Sequence, residues 1–390
     1  MNFISLGAAA RKWQVSELVV QHYCATQRIP GAAQHNNAWA IPADAQKPTD
    51  PERTAPANAP ITPMPLLNTV FPPGNCQAAV AQIQDPHTQA IARAEHAYFC
   101  GQAETAAQLA ELYLYHPDLS LRLSACLIYA YANLTLERPL STRMALEEVR
   151  NIFLATDETA PPALRASAAS ISAAAAILLH LPVPEGLGDP QQYLPLLPPG
   201  LQMFSLYVQA HHAYLQGDYG RSIGITETAL SLQAGSYLIP TIYLHLVAVM
   251  DYMSLRQPEK AHAHLLTAWD LARPDDLIQG FGEHHGLLGG MLEVVLKKDW
   301  PEDFRRIIHI TYRFSSGWRK VHNPTTGHDV ADNLTTTEFA TAMLAARGWS
   351  NQEIANYMGV SPNTIKRYIS TSLQKLNVKQ RKDLRRFMLR

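Results

Sequence analysis

Near the C-terminus, three closely spaced segments each carry the signals that start an α-helix. Two are capping boxes, in which Ser or Thr stands three residues before Glu, and the third has a Ser N-cap; an apolar residue precedes each cap. These positions are Thr335 with Glu338, Ser350 with Glu353, and Ser361. Gly348 and Gly359 stand where the first two helices must end. The pattern predicts short helices joined by tight turns.

The third of these helices has two different faces. Within SPNTIKRYISTSLQKL, residues 361–376, apolar residues recur at helical spacing and predict a buried side: Ile365, Ile369, Leu373 and Leu376. Polar and basic residues occupy the other side: Asn363, Lys366, Arg367, Ser370 and Gln374. With one helix before this pair and one after it, from about Lys379 to Met388, the region predicts a four-helix unit containing a helix-turn-helix.

The charge of the chain is divided unevenly between this region and the rest. Residues 334–390 hold ten Lys and Arg against three acidic residues, a net charge of +7. The remaining residues hold 22 basic and 30 acidic side chains, a net charge of −8. A basic end on an otherwise acidic chain predicts a polyanionic partner for that end.

The string LTTTEFATAMLAARGWSNQEIANYMGVSPNTIKRYISTSLQKLNVKQRKDL resembles the LuxR-type DNA-binding domain. The resemblance rests on the Leu-Thr…Glu, Gly-x-Ser-Asn-x-Glu-Ile-Ala, Ser-x-x-Thr-Ile-Lys and Lys-Leu-x-Val positions. It implies that the third helix enters the major groove of double-stranded DNA, and that further basic residues contact phosphates. The predicted DNA-binding residues are Asn363, Thr364, Lys366, Arg367, Ser370, Lys375, Lys379 and Arg381. Tyr368 departs from the family, which commonly has His there.

Residue chemistry divides the roles on this helix. Arginine pairs two acceptors on a guanine edge, so Arg367 is predicted to read a base, whereas Lys366 is predicted to contact the backbone. The N-terminal amides of the helix offer further donors to phosphate. The alternative is a merely solvated basic face, which predicts no salt-dependent DNA binding.

Residues 1–48 resemble the small winged helix-turn-helix of excisionase and MerR-like proteins. The resemblance rests on Ala8-Ala9, Lys12-Trp13, Val15-Ser16, Arg28-Ile29-Pro30-Gly31 and Trp39-x-Ile41-Pro42. With four basic and two acidic residues, this segment has a weak electrostatic footprint for DNA. A protein-contact or accessory module is therefore favoured over a second specific DNA reader. The candidate accessory DNA or protein contacts are Glu17, Gln21, His22 and Arg28.

The middle of the chain follows a proline-rich segment. Residues 49–80 hold seven prolines and predict an extended linker, and residues 323–333 predict a second linker. Residues 81–322 are helical in period, and Ala-Tyr-x-x-Gly recurs at 97–101 and 213–217, each time between two helical stretches. This resembles tetratricopeptide-type repeats and predicts a solenoid of helical hairpins. An irregular helical domain is the alternative.

No motif for catalysis or cofactor binding stands out. A phosphate-binding G-x-x-x-x-G-K-[ST] motif and a receiver-like pattern are lacking, and the four cysteines show no metal-type spacing. His284 and His285 point about 100° apart on a helix, which suits one metal ion poorly. The uncharged stretch 166–184 predicts a buried helix, and the first residues predict no signal peptide. We therefore predict no enzyme activity, no cofactor, no metal and no membrane partner.

Together these patterns predict a mainly α protein: a winged helix-turn-helix, a helical-hairpin solenoid, and a four-helix LuxR-type domain at 334–390. The predicted function is that of a cytoplasmic bacterial transcription regulator. The helical domain would bind a peptide, a protein or a small-molecule effector. A homodimer, at least on DNA, is expected to form through the last helix, by way of Leu384, Phe387 and Met388. The alternative is a protein-interaction scaffold that its DNA-binding domain localises.

Overall fold

A computed structural model describes residues 3–13, 17–25, 27–35, 38–48, 62–156, 159–232, 237–322 and 334–385. Most of this structure is helical. Three parts follow one another along the chain: a small N-terminal module (3–48), a helical domain (62–322) and a C-terminal domain (334–385). Among the described helices, none is both long and apolar enough to cross a membrane.

The N-terminal module contains two helices beside a small sheet. Its elements are β1 (Phe3–Ile4), α1 (Leu6–Trp13), α2 (Glu17–Ala25), β2 (Ala33–His35) and β3 (Ala38–Pro42). β3 lies between the other two strands, and both pairings are antiparallel. Val15 and Ser16, on which the winged-helix resemblance partly rests, and residues 36–37 between β2 and β3 lie outside the described residues. Strand β1 was not predicted, because two residues are too few to produce an alternating pattern.

The helical domain is built mainly from antiparallel helical hairpins. Its helices are α3 (Cys76–Ala81), α4 (Pro86–Phe99), α5 (Ala103–Glu111), α6 (Leu119–Thr135), α7 (Pro139–Ala155), α8 (Pro162–Leu178), α9 (Pro190–Tyr193), the 3-10 helix η1 (Leu194–Leu196), α10 (Pro199–Leu215), α11 (Tyr219–Leu232), α12 (Leu238–Ser254), α13 (Pro258–Ala272), η2 (Arg273–Asp275), α14 (Gln279–His284), α15 (Met291–Asp299) and α16 (Pro301–His322). Helix α8 covers most of the uncharged stretch, and its alanines and serines from 166 to 176 are buried.

Four of the hairpins share one turn. After α4, α6, α10 and α12, a residue adopts a left-handed conformation: Gly101, Glu137, Gly217 and Arg256. The following N–H then donates back into the last helical turn, as Gln102 does to Ala97 O at 2.9 Å. This hydrogen bond satisfies a carbonyl that the helix end leaves open. The two Ala-Tyr-x-x-Gly copies therefore mark real hairpins, whereas the other two turns use non-glycine residues.

The segment before α3 differs from its prediction. Residues 49–80 were predicted to be a linker, but within 62–80 Met64, Leu66, Leu67 and Phe71 are buried, and α3 begins at Cys76. The buried carboxyl group of Glu95 accepts the N–H groups of Leu66 and Leu67 at 3.0 and 3.2 Å. The buried apolar side chains and the hydrogen bonds to Glu95 on α4 thus attach this segment to the helical domain. Residues 49–61 and 323–333, also predicted as linker, lie outside the described residues.

The C-terminal domain begins with both predicted capping boxes. Its elements are α17 (Thr336–Ala346), α18 (Asn351–Met358), α19 (Pro362–Lys375) and the 3-10 helix η3 (Arg381–Leu384). The predicted fourth helix therefore starts as a 3-10 turn at Arg381, two residues later than expected. Leu384 is fully buried against the domain, which corrects its predicted role as an exposed dimer contact. Phe387 and Met388 lie outside the described residues.

Candidate nucleic-acid interface

Helix α19 is fixed at its start and along one side. Ser361 caps it, accepting the N–H of Thr364 at 3.1 Å. Ile365, Ile369 and Ser372 are buried, and α19 packs against α17 and α18. Capping and burial together hold the helix in one orientation, so its opposite face has a fixed position.

The opposite face of α19 presents four of the eight predicted DNA-binding side chains to solvent. Asn363, Lys366, Arg367 and Ser370 are exposed in the context of the whole described chain, whereas Thr364 is half-buried. The Arg367 guanidinium lies 5.5 Å from the ring centre of Tyr368, which places a planar cation beside an aromatic side chain. We call the set Asn363, Lys366, Arg367 and Ser370 the basic face.

Three further basic residues, Lys375, Lys379 and Arg381, are predicted to contact phosphates, and two of them already bind partners inside the domain. Lys375 Nζ lies 2.7 Å from Glu338 Oε2. Burial acts to raise the pKa of Glu338, but hydrogen bonds from Lys375 and Thr335 outweigh it and lower that pKa. Arg381 donates to Asn351 Oδ1 and to the Trp349 carbonyl, and burial lowers its pKa. Of these three cations, Lys379 has the exposed side chain.

The C-terminal domain also lies against the helical domain. A Cβ atom added at Gly286 would come within 2.6 Å of Phe339 Cε1, and one added at Gly290 would lie 3.3 Å from Ala340 Cβ. Tyr357 donates its hydroxyl to Met291 Sδ at 3.3 Å. We call this surface the docking contact: residues 285–291 on one side, and Phe339, Ala340, Arg347 and Tyr357 on the other. Glycine at 286 permits the close approach.

Arg347 makes the most specific part of the docking contact. Its Nη2 donates to Tyr214 Oη and to the Leu287 carbonyl, both at 2.7 Å. Its Nε and Nη1 are buried with no hydrogen-bond partner among the described residues. Burial raises the pKa of nearby Asp251 to about 7, while its hydrogen bond from Ser222 and the Arg347 charge act to lower it. A half-buried cation with two buried, unpaired donor atoms therefore joins the two domains.

The docking contact was missed by the sequence analysis. Arg347 had been counted only as one of the ten basic residues of the C-terminal region. Its partners Tyr214 and Leu287 lie 133 and 60 residues away in the chain. No local pattern signals such a contact, although the two adjacent glycines Gly289 and Gly290 mark a place of close backbone approach.

The predicted N-terminal contacts lie elsewhere, on α2 and the residues after it. Glu17 is exposed and Gln21 is half-buried. The Arg28 guanidinium lies 5.1 Å from the ring centre of Tyr23, and helix α2 packs against α7 of the helical domain. The side chain of His22 lies outside the described residues.

The adjacent histidines have separate partners, as their angular separation predicts. His284 contacts Tyr207 Oη at 3.0 Å and the Gly280 carbonyl at 2.8 Å, and burial lowers its pKa to about 4. His285 lies 2.8 Å from Glu293. Within the part of the chain that the structure describes, no three His, Cys, Asp or Glu side chains are grouped to hold a metal ion.

Comparison with known proteins identifies the C-terminal domain. Residues 332–388 match the family model of bacterial regulatory proteins, luxR family, which covers α17, α18, α19 and η3. No curated protein and no solved structure gives a significant match to the chain. The winged-helix and tetratricopeptide-type resemblances therefore stay predictions. The LuxR-type resemblance is confirmed, and it indicates a DNA-binding helix-turn-helix transcription regulator.

Proposed function

We propose that this protein regulates transcription in the bacterial cytoplasm by inserting α19 into the major groove of a specific DNA site. The observation that carries the proposal is the basic face: a rigidly held helix directs Lys366 and Arg367 into solvent, opposite a buried apolar side. Solvation alone does not explain why two adjacent cations lie on the outer side of a helix whose orientation is fixed. Recognition of DNA explains it, because a fixed helix brings its cations to the phosphates and base edges of a groove.

Within this proposal the cations divide between base and phosphate contacts. Arg367 reads a guanine edge, and Asn363, Thr364 and Ser370 supply further polar contacts. Lys366 and Lys379 neutralise phosphates, and both side chains are exposed. Lys375 and Arg381 contribute mainly by bracing α19 and η3, since each is bound within the domain; they reach phosphate only by exchanging those partners.

We further propose that the helical domain controls the C-terminal domain through the docking contact. Docking leaves the basic face exposed, so it does not block the groove-facing residues directly. It does hold α17 and α18 against residues 285–291, which fixes where one basic face can lie relative to a second copy. A twofold dimer reads paired half-sites at a set spacing, so control acts on spacing.

The N-terminal module is proposed to be a protein-contact or accessory element. Its packing on α7 supports a structural attachment to the helical domain, and Arg28 packs on Tyr23 within the module. The candidate contacts Glu17, Gln21, His22 and Arg28 include one acidic and one basic side chain, which suits a protein surface better than a phosphate backbone.

The experiment that tests the function is recovery of bound genomic DNA with the intact protein and with Arg367→Ala. A sequence motif recovered with the intact protein and lost with the variant supports base reading by α19. Arg305→Ala is the matched control, because Arg305 is an exposed arginine on α16 that pairs with Glu302. An unchanged motif in Arg367→Ala would assign specificity to another surface. Deleting residues 334–390 separates a regulator from a scaffold, which would keep its protein partners.

A further inference from the structure

One cation of the helical domain reaches into the C-terminal domain. Arg256, in the turn between α12 and α13, donates to the Gly348 carbonyl in the turn between α17 and α18. Its Nη1 also lies 3.8 Å from Glu353 Oε1, in the first turn of α18. A Cβ atom added at Gly348 would lie 2.9 Å from Arg256 Nη2, so the glycine leaves room for this approach. Arg256 therefore lies beside the start of α18, although it belongs to another domain.

The backbone at position 256 does not require an arginine. The φ angle of Arg256 is 58°, which is left-handed, and the equivalent turns after α4 and α10 have Gly101 and Gly217 at this place. Glycine adopts this conformation more readily than a residue with a Cβ atom. The arginine therefore contributes through its side chain, which contacts the C-terminal domain.

The start of α18 is open to solvent and carries an acidic group. Ser350, Gln352 and Glu353 are exposed in the context of the whole described chain. Hydrogen bonds from Ser350 lower the pKa of Glu353, and the charges of Arg256 and Arg381 lower it further, so this carboxylate is ionised. When α19 lies in the major groove, the helix before it crosses the DNA backbone. The Glu353 carboxylate repels a phosphate there, and a cation beside it offsets the repulsion.

The arginine that the C-terminal domain itself has at this place is already bound. Arg381 is half-buried and donates to the Trp349 carbonyl and to Asn351 Oδ1. The Arg256 side chain, by contrast, keeps 48% of its surface exposed. A guanidinium carries several N–H donors in a planar fork, so the Gly348 carbonyl leaves donors of Arg256 for a further acceptor. Arg256 is therefore the more available of the two arginines at the start of α18.

We propose that Arg256 is a DNA phosphate contact, which the helical domain supplies to the DNA-binding surface of the C-terminal domain. Its guanidinium neutralises the backbone phosphate that lies nearest the start of α18. A phosphate contact carries no sequence information, so Arg256 adds affinity for all sequences alike. This inference rests on the proposed binding of α19 in the major groove.

The contact makes DNA affinity depend on docking. Arg256 approaches α18 only while the C-terminal domain lies against the helical domain, and its acceptor Gly348 directly follows Arg347 of the docking contact. A signal that separates the two domains therefore removes one phosphate contact from each protomer. It weakens binding to DNA in addition to releasing the half-site spacing.

The test measures DNA affinity of the full chain by fluorescence anisotropy between about 50 and 200 mM salt. The probes are the site recovered from genomic DNA with the intact protein and a duplex of scrambled sequence. Arg256→Gly removes the guanidinium and suits the left-handed turn. We expect the slope of log affinity against log salt to become shallower by about 0.9 on both duplexes. The affinity loss should then be about threefold larger at the low end of this salt range than at the high end.

Three further variants serve as controls. Arg256→Lys keeps the positive charge and should keep the slope of the intact protein. Glu137→Gly makes the same backbone change in the equivalent turn after α6, where Glu137 pairs with Lys320 of α16. Arg305→Ala removes an exposed arginine that pairs with Glu302. Glu137→Gly and Arg305→Ala should leave the slope unchanged, and an equal change in either of them would overturn the assignment to Arg256.

An unchanged slope in Arg256→Gly would overturn the proposal even if the affinity or the preferred spacing changed, because that result indicates a positioning role alone. Tighter DNA binding by Arg256→Gly would also overturn it, because Arg256 would then oppose DNA. Binding of the recovered site that depends on Arg367, with an unchanged slope in Arg256→Gly, would refute the Arg256 contact alone. If the intact protein bound neither duplex at low salt, the proposed function would fail, and this inference with it.

Discussion

The C-terminal domain and the helical domain differ in where their functionally relevant charged side chains lie: at the surface in the first and in the interior in the second. In the C-terminal domain, Lys366 and Arg367 are exposed on one helix, and their role follows from the neighbouring residues in the sequence. In the helical domain, Glu95, Asp251 and Glu283 accept hydrogen bonds from groups in other segments of the chain, including those of Leu66, Ser222 and Tyr243. The difference teaches that the basic face is encoded locally, whereas the docking contact and the buried carboxyl groups are encoded in packing.

The largest expected effect concerns Glu95. Glu95→Ala removes the acceptor of the Leu66 and Leu67 amides, leaving two buried donors unpaired and a cavity on α4. We expect a loss of about 4 kcal/mol of unfolding free energy. Urea denaturation of the full chain measures it. Glu95→Gln is the control, since burial raises the pKa of Glu95 well above its usual value and the neutral amide resembles the protonated acid; it should cost under about 1 kcal/mol.

The next effect concerns the pH dependence of stability. Glu283 has its pKa raised from 4.5 to about 7, so between these values the folded protein binds more protons than the unfolded chain. Stability from this group is thus fully present below pH 4.5 and is lost as the pH rises through 7. The intact protein should lose about 2 to 3 kcal/mol relative to Glu283→Gln over this window. Denaturation curves of both proteins at pH 5 and pH 8 give the difference; equal differences at both pH values would contradict it.

Arg367→Ala should act on DNA binding and leave folding unchanged. Removing one bidentate contact between arginine and guanine should cost about 2 kcal/mol of specific binding free energy, roughly a thirtyfold loss of affinity. Fluorescence anisotropy with the recovered site measures this loss. Lys366→Ala offers the contrast within the same helix: it should weaken binding to all sequences alike and reduce the slope of log affinity against log salt by about one.

The smallest expected effect concerns the docking contact. Arg347→Ala removes the hydrogen bonds to Tyr214 and Leu287, but it also removes two buried donor atoms that have no partner, so stability should change by only about 1 kcal/mol. Released from the helical domain, the C-terminal domains should tolerate more half-site spacings. Binding to sites with altered spacing measures this, and unchanged spacing preference would argue against control through docking. Arg305→Ala again serves as the control.

The helices of the C-terminal domain could be predicted because their signals are local. Thr335 with Glu338 and Ser350 with Glu353 form the capping boxes that the sequence predicts, and Ile365 and Ile369 are buried as their spacing requires. The basic face then follows from helical geometry. Contacts made by long flexible cations do not follow in the same way, because Lys375 and Arg381 can pair with any acceptor within reach.

The helical hairpins of the helical domain could be predicted from the sequence, but the start of the domain and some of its turns could not. The glycines at 101 and 217 reveal two of four equivalent turns, since glycine favours the left-handed conformation that Glu137 and Arg256 adopt without a sequence signal. The density of prolines predicted a linker over 62–80. The apolar side chains between those prolines are instead buried against the helical domain. Burial of Met64 and Phe71 depends on a groove that only the folded helices provide.

By itself, the sequence determined where the C-terminal helices start and which side of α19 carries the cations, because caps and helical periodicity act over a few residues. Tertiary structure alone decided that Arg347 binds the helical domain, and that Tyr98 meets Glu283 across 185 residues of chain. Side chains so far apart in sequence become neighbours only when helices pack. The resulting burial, which no local pattern records, then sets their charge and their chemistry.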